Sequence, residues 1–272
     1  MFRISCFADE ISPDINEQAR VMKRLGIKYV ELRSVNKKNV LDFTNDEAND
    51  IKNVFSENGI SVSSIGSPIG KVDIDCDFEE YRKKIYRAIE LAKLFGTKYI
   101  RMFSFYHEGK TLSECRGKVM ARLRDMLDIA KENGVFLCHE NEAAIYGEKG
   151  AECLDILKTM NDGAFRSVLD PANYVLAGER PFECLKMTHS FIEYLHIKDA
   201  SFETREILPA GKGDGRLCDI IDFLRYHDGM FLTLEPHLAV AGKMQGFSGE
   251  DLFEVAYRAL TGILQKLGIK YE

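Results

Sequence analysis

Gly134-Val135-Phe136-Leu137-Cys138-His139-Glu140 reads as one phrase, a glycine that can end a helix followed by a short β-prone run. Glycine suits the position just past a helix because it enters φ > 0 without a Cβ clash. The phrase recurs on both sides. Upstream it stands as Gly26 before Lys28-Tyr29-Val30-Glu31-Leu32, Gly59 before Ser61-Val62-Ser63-Ser64-Ile65, and Gly96 before Lys98-Tyr99-Ile100-Arg101-Met102. Downstream, Gly163 precedes the run 165–170 and Gly229 the run 230–235. Successive glycines are 33, 37, 38, 29 and 66 residues apart. The last step is twice 33, which predicts a unit that lacks its glycine, with its strand near residue 196. Phe191-Ile192-Glu193-Tyr194-Leu195-His196-Ile197 stands there, and the opening run 2–7 brings the count to eight.

Amphipathic helices fill the intervals. Ser248 is expected to cap one whose Leu252, Val255, Ala256, Ala259, Leu260, Ile263, Leu264 and Leu267 recur at helical spacing, with Gly268 at its end. Thr111 and Glu114 form a capping-box pattern, and Tyr81, Ile85, Ala88, Ile89 and Ala92 mark a third helix. Strand alternating with helix every ~34 residues means parallel strands joined by helical crossovers. Eight such units close most naturally into a (β/α)8 TIM barrel of the α/β class, the alternative being an open doubly wound sheet. No Pro/Ser-rich linker interrupts residues 1–272, so one domain is expected.

Composition narrows the function. With 37 basic and 43 acidic residues the net charge is −6, which argues against nucleic acid as a partner, since phosphate binding needs a clustered cationic face. No apolar run is long enough to span a membrane, and the opening Met1-Phe2-Arg3-Ile4-Ser5-Cys6 reads as a strand, not as a signal peptide. The seven cysteines contain no C-x-x-C pair, so they read as reduced thiols of a cytoplasmic protein.

In this fold the active site lies at the carboxyl ends of the strands. Strand two offers Glu31 and Arg33 there, strand five Glu140, strand six Asp170, strand seven His196 and strand eight Glu235, while strands three and four offer only Ser, Ile, Met and Phe. Four adjacent strands thus aim three carboxylates and an imidazole at one place. Two carboxylates ~4 Å apart repel by roughly 4 kcal/mol at an effective dielectric of about 20. Such a cluster needs bound protons or a bound cation. Three oxygen donors with one imidazole suit Mn²⁺, Mg²⁺ or Co²⁺ with coordination positions left open, whereas structural zinc prefers Cys and His. Taken singly, each carboxylate also reads as a cap for the following helix.

A hard cation with open positions suits a ligand with vicinal oxygens, such as an α-hydroxy carbonyl, and stabilises the enediolate left after α-proton removal. Glu140 and Glu235 are the expected bases, one taking the proton and the other returning it. Lys198 and His237 each stand two residues beyond a ligand candidate, placed either to bind substrate or to pair with a neighbouring acid. Glu31 and Glu142 are candidates for positioning hydroxyls. Gly66-Ser67-Pro68-Ile69-Gly70-Lys71 has the wrong spacing for a P-loop, and His139-Glu140-Asn141-Glu142-Ala143 lacks the second histidine of a zinc protease. Gly211-Lys212-Gly213-Asp214-Gly215 follows strand seven, where barrels often hold phosphate, so Lys212 is either an anion contact or part of a plain turn.

At these residues the chain resembles the xylose-isomerase-like superfamily of sugar phosphate isomerases and epimerases. The resemblance is carried by His139-Glu140-Asn141-Glu142, Leu169-Asp170-Pro171-Ala172-Asn173, His196-Ile197-Lys198-Asp199-Ala200, the loop 209–215 and Leu234-Glu235-Pro236-His237. It implies one divalent metal, commonly manganese with magnesium, cobalt or zinc as alternatives, held by Glu140, Asp170, His196 and Glu235. It implies proton transfer through an enediolate of a small-molecule carbohydrate, and a homodimer through the barrel helices. Asn173 stands where similar tagatose-type epimerases carry histidine, so it is expected to contact substrate without supplying a proton. The expected activity is a metal-dependent sugar or sugar phosphate isomerase or epimerase, with a keto-sugar or keto-cyclitol dehydratase as the alternative and a non-catalytic sugar-binding barrel behind both.

Overall fold

Residues 1–238 and 248–272 are described by the computed structural model of the chain. Eight parallel strands close into one barrel: β1 (Arg3–Cys6), β2 (Tyr29–Leu32), β3 (Ser61–Ile65), β4 (Tyr99–Met102), β5 (Phe136–Glu140), β6 (Phe165–Leu169), β7 (Ile192–Ile197) and β8 (Phe231–Leu234). Each pairs with its neighbours in sequence, and β1 pairs with β8, Arg3 beside Phe231 and Cys6 beside Leu234, to complete the ring. This is the (β/α)8 arrangement that the glycine spacing predicts, with β7 where the doubled step puts it.

Around the strands run α1 (Ile15–Leu25), α2 (Asn45–Glu57), α3 (Phe78–Phe95), α4 (Leu112–Glu132), α5 (Gly150–Met160), α6 (Pro171–Leu176), α7 (Pro181–Thr188), α8 (Leu217–Phe223) and α9 (Gly249–Lys266). The Thr111–Glu114 capping box opens α4, and the buried face of α3 adds only Leu91 to the predicted stripe. Gly26, Gly59, Gly96, Gly134 and Gly229 take φ between 69° and 76°, as a helix exit requires. After α5 the left-handed residue is Asn161 instead, at φ 42°, and Gly163 is not needed for that purpose.

Ser248 departs from its expected role. It stands at the start of α9, but its hydroxyl donates to Glu10 Oε2 at 3.0 Å and accepts from Leu238 N at 3.0 Å. A bond to an ionised carboxylate is roughly twice as strong as a neutral one, so the buried Glu10 takes the hydroxyl from the helix. The face of α9 is also turned, with Phe253 buried and Val255 45% exposed.

The barrel interior is polar. Period-two alternation points Ser5, Glu31, Arg101, Glu140, Tyr194 and His196 inward, all of them buried. They satisfy one another: Ser5 and Ser63 hydroxyls meet at 2.7 Å, Ser64 and Tyr194 at 3.2 Å, and Tyr194 Oη donates to Glu31 at 2.9 Å. The apolar core is the outer layer, between strands and helices. Among the described residues no helix is long and apolar enough to cross a membrane.

Candidate metal centre

Glu140 ends β5, Asp170 follows β6 as the cap of α6, His196 is the penultimate residue of β7, and Glu235 follows β8. One potential ligand atom from each lies within 4.8 Å of the others, and all four side chains are buried. His196 Nδ1 is 3.1 Å from Glu140 Oε1 and 3.2 Å from Glu235 Oε2. Three of the converging atoms, Asp170 Oδ2, His196 Nδ1 and Glu235 Oε2, are buried without a hydrogen bond, although Lys198 Nζ pairs with Asp170 Oδ2 at 3.0 Å. Native interiors rarely leave such atoms orphaned, and three that face one another fit a shared cation. Three carboxylates and an imidazole match a divalent metal in donor chemistry.

The histidine is oriented from behind. Its Nε2 lies 3.2 Å from Glu31 Oε2, and an ionised carboxylate can only accept. With a metal bound the ring would be neutral, its proton on Nε2 toward Glu31 and its Nδ1 lone pair toward the ion, the usual carboxylate–histidine support of a metal ligand.

Buried charges set the titration of the cluster. Burial opposes ionisation of Glu140, but the charges of His196 and Arg101 more than offset it and hold its carboxyl at about 2. Glu235 is likewise opposed by burial and held well below the usual range by Lys198 and His237. Asp170 goes the other way, to about 6, because burial and the charges of Glu235 and Glu140 outweigh the pull of Lys198. Burial disfavours the His196 cation, yet Glu140 and Glu31 raise its pKa well above the ordinary value.

A cationic layer completes the site. Arg33 donates from Nη1 to Glu235 Oε1 (2.9 Å), from Nε to Asp9 Oδ2 (2.8 Å) and from Nη2 to Glu10 Oε1 (2.9 Å). Arg101 donates from Nη1 to Glu140 Oε2 at 3.2 Å and from Nη2 to the Gly66 carbonyl at 3.1 Å. Both guanidiniums approach the Phe7 ring, Arg33 Cζ at 4.4 Å and Arg101 Cζ at 4.9 Å from its centroid. Strand four therefore does offer a polar group, contrary to expectation. The available signal was a charge between Ile100 and Met102, which alternation turns inward. Asp9, Glu10 and Asn141 were also passed over. Asn141 exchanges two bonds of 2.9 Å with the Asp170 backbone, which pins the turn that presents this carboxylate.

The expected substrate contacts divide. Glu31 is fully buried behind His196 and engaged by Tyr194, so it does not reach a hydroxyl in the cavity. Asn173 points its amide at Glu140 Oε1 (3.4 Å) and the Asn141 carbonyl (2.9 Å). Glu142 is neither free nor merely solvated, since Lys71 Nζ reaches it at 2.7 Å. Lys198 takes the ion-pair alternative, 3.0 Å from Asp170 Oδ2. His237 lies 3.1 Å from Glu10 and 3.4 Å from Glu235. Burial and Lys198 lower its pKa, but those two acids prevail and carry it to about 9.

Lys212 is exposed and makes no ion pair among the described residues. The glycine loop around it is occupied from within. Asp199 Oδ2 accepts from Gly211 N (2.8 Å) and Gly213 N (3.0 Å), and Oδ1 accepts from Gly215 N (2.8 Å) and Ala200 N (2.9 Å).

Comparison with known proteins agrees with the barrel. The probable 3-DHS dehydratase AsbF of Bacillus anthracis is 17% identical with TM-score 0.77, the match covering 96% of this chain and 99% of that one. The IOLI protein, solved with a bound zinc atom, is 18% identical with TM-score 0.78, over 97% and 99% of the two chains. The 3-keto-D-glucoside 4-epimerase YcjR of E. coli is 16% identical with TM-score 0.72, over 97% and 98%. At these identities the likeness shows the fold alone. No curated protein matches the sequence. The family of xylose isomerase-like TIM barrels, however, matches residues 19–249. With its closed ring of eight strands, the chain is a member of the xylose isomerase-like TIM barrel family.

Proposed function

We propose that the protein is a divalent-metal-dependent enzyme that moves a proton next to the carbonyl of a small keto-sugar or related polyol, as an epimerase or isomerase. The observation that carries this reading is the convergence of buried donor atoms from Asp170, His196 and Glu235 that make no hydrogen bond, with Glu140 beside them. Glu140, Asp170, His196 and Glu235 would hold the ion. When bound it would polarise a substrate carbonyl and acidify the adjacent C–H, so that a carboxylate suffices as base.

The chain's own groups supply the rest. Glu140 and Glu235 are held ionised by the cations around them, and each is a proton acceptor at neutral pH. One takes the proton from carbon and the other returns it, to the neighbouring carbon or to the opposite face. Arg101 and Asn173 fix Glu140, while Arg33 and His237 fix Glu235, so both carboxylates keep their geometry through the cycle.

His237 favours a second reading. Protonated at neutral pH and 31% exposed at its side chain, it is able to donate a proton to a leaving hydroxyl, which would make the reaction a dehydration.

The test is product analysis on a panel of ketoses and keto-cyclitols with the Mn²⁺-charged protein. An epimer or isomer of unchanged mass supports the first reading and loss of water the second. Absence of bound metal from protein purified with Mn²⁺ overturns both. Glu140→Gln and Glu235→Gln are each expected to lower kcat by about 10²–10⁴; wild-type rates in either would end the two-base scheme.

A further inference from the structure

Barrels that bind phosphorylated substrates commonly hold the phosphoryl group on backbone N–H groups of the loops after strands seven and eight. This chain builds such a cradle after β7 and fills it with its own anion. The Asp199 carboxylate, fully buried, accepts four backbone N–H bonds of 2.8–3.0 Å from Ala200, Gly211, Gly213 and Gly215. The glycines are required by that anion. A Cβ on Gly213 would stand 2.5 Å from Asp199 Oδ1 and 2.4 Å from the Ala200 carbonyl, and one on Gly215 would stand 2.6 Å from Oδ1. The cradle also belongs to the site. Asp199 follows Lys198, which pairs with Asp170, and Gly215 packs toward Pro171, the residue after Asp170.

The remaining charges point the same way. Asp9, Glu10, Glu31, Glu140, Asp170 and Glu235 surround the centre against the fixed cations Arg33, Arg101 and Lys198, a sum of −3. A divalent ion makes it −1. Each of those cations, and Lys71 at the mouth, already has a carboxylate partner. No positive surplus is left for an anionic substrate.

We infer that Asp199 is a specificity residue, an internal stand-in for a phosphoryl group that closes the loop after β7 and restricts the site to uncharged polyhydroxy ketones. This deepens the proposed function and rests on it for the reaction, but the closing of the cradle is readable without turnover.

Paired substrates give the first measurement, a ketose or keto-cyclitol against its phosphate ester. The free compound is expected to have the higher kcat/KM by about a hundredfold or more, because placing like charges together costs several kcal/mol. Equal or better use of the ester overturns the inference. In Asp199→Asn the preference is expected to narrow by about tenfold, and an unchanged ratio in a folded variant removes the role from Asp199. The second measurement is ³¹P line broadening of inorganic phosphate by the full chain with EDTA present, so that metal–phosphate contact plays no part. The wild type is expected to bind none and Asp199→Ala to gain binding. Phosphate binding by the wild type, or none gained by a folded Asp199→Ala, counts against the cradle. Should both variants lose their near-UV circular dichroism, the wild-type ratio and the wild-type phosphate measurement decide. If no pair is turned over, the proposed reaction fails while the phosphate measurement still judges this inference.

Discussion

Glu31→Gln tests the arrangement behind the metal centre most directly. The side chain lies on β2 and reaches across the barrel to His196 Nε2 at 3.2 Å, a residue 165 positions away, while Tyr194 Oη donates to its other oxygen at 2.9 Å. Glutamine keeps the volume and one acceptor but removes the negative charge. Glu31 is also among the main causes that keep His196 basic. Without it Nδ1 becomes a weaker donor, and the amide can turn its NH₂ toward Nε2, favouring the tautomer that protonates Nδ1. Loss of such outer partners typically weakens metal binding by about 10–100-fold, equivalent to about 1.4–2.8 kcal/mol. Competition of Mn²⁺ against a fluorescent chelator measures this. Tyr194→Phe serves as the graded control. It removes one neutral donor worth about 1 kcal/mol and leaves the charge, so less than a tenfold loss is expected. A folded Glu31→Gln that binds Mn²⁺ within about twofold of wild type would refute the reasoning, since the Nε2 contact would then contribute nothing to the ligand.

Other consequences are as open to measurement. Asp170→Ala should bring metal stoichiometry below that of wild type and destabilise the fold, because it removes the nearest partner of the buried Lys198, leaving Glu235 at 3.8 Å, and the cap on Asn173 N; unchanged metal content would take Asp170 out of the ligand set. Gly70→Ala should lower stability by at least about 2 kcal/mol in urea unfolding, since φ is 89° and the new Cβ would lie 2.0 Å from the Phe103 carbonyl oxygen. Burial pushes the Cys153 and Cys184 thiols up to about 12, so both stay protonated and unreactive at pH 8. A thiol reagent should instead find the partly exposed Cys76 and Cys218 first, and early labelling of Cys153 would contradict the packing.

Much of this was written locally in the chain. The glycine phrase exposed the barrel because a helix exit needs a left-handed residue within a few positions of the next strand, and that need repeats with every unit. Asp170, Glu140 and Glu235 could be picked out because alternation and strand length fix which residue emerges at a strand's end. Local rules also misled. Ser248 looked like a cap and serves Glu10, and the glycine loop around Lys212, open to reading as an anion contact or a plain turn, encloses Asp199.

Sequence alone determined the eightfold architecture and the four converging side chains, since both follow from short-range periodicity. Only the closed barrel decided their partners: Glu31 behind His196, Arg101 on Glu140, and Arg33 on Glu235 across 202 positions. Those pairings depend on how strands tilt and register around the ring, and on which buried charge meets an opposite one there. That is a property of the closed surface, which no stretch of chain carries by itself.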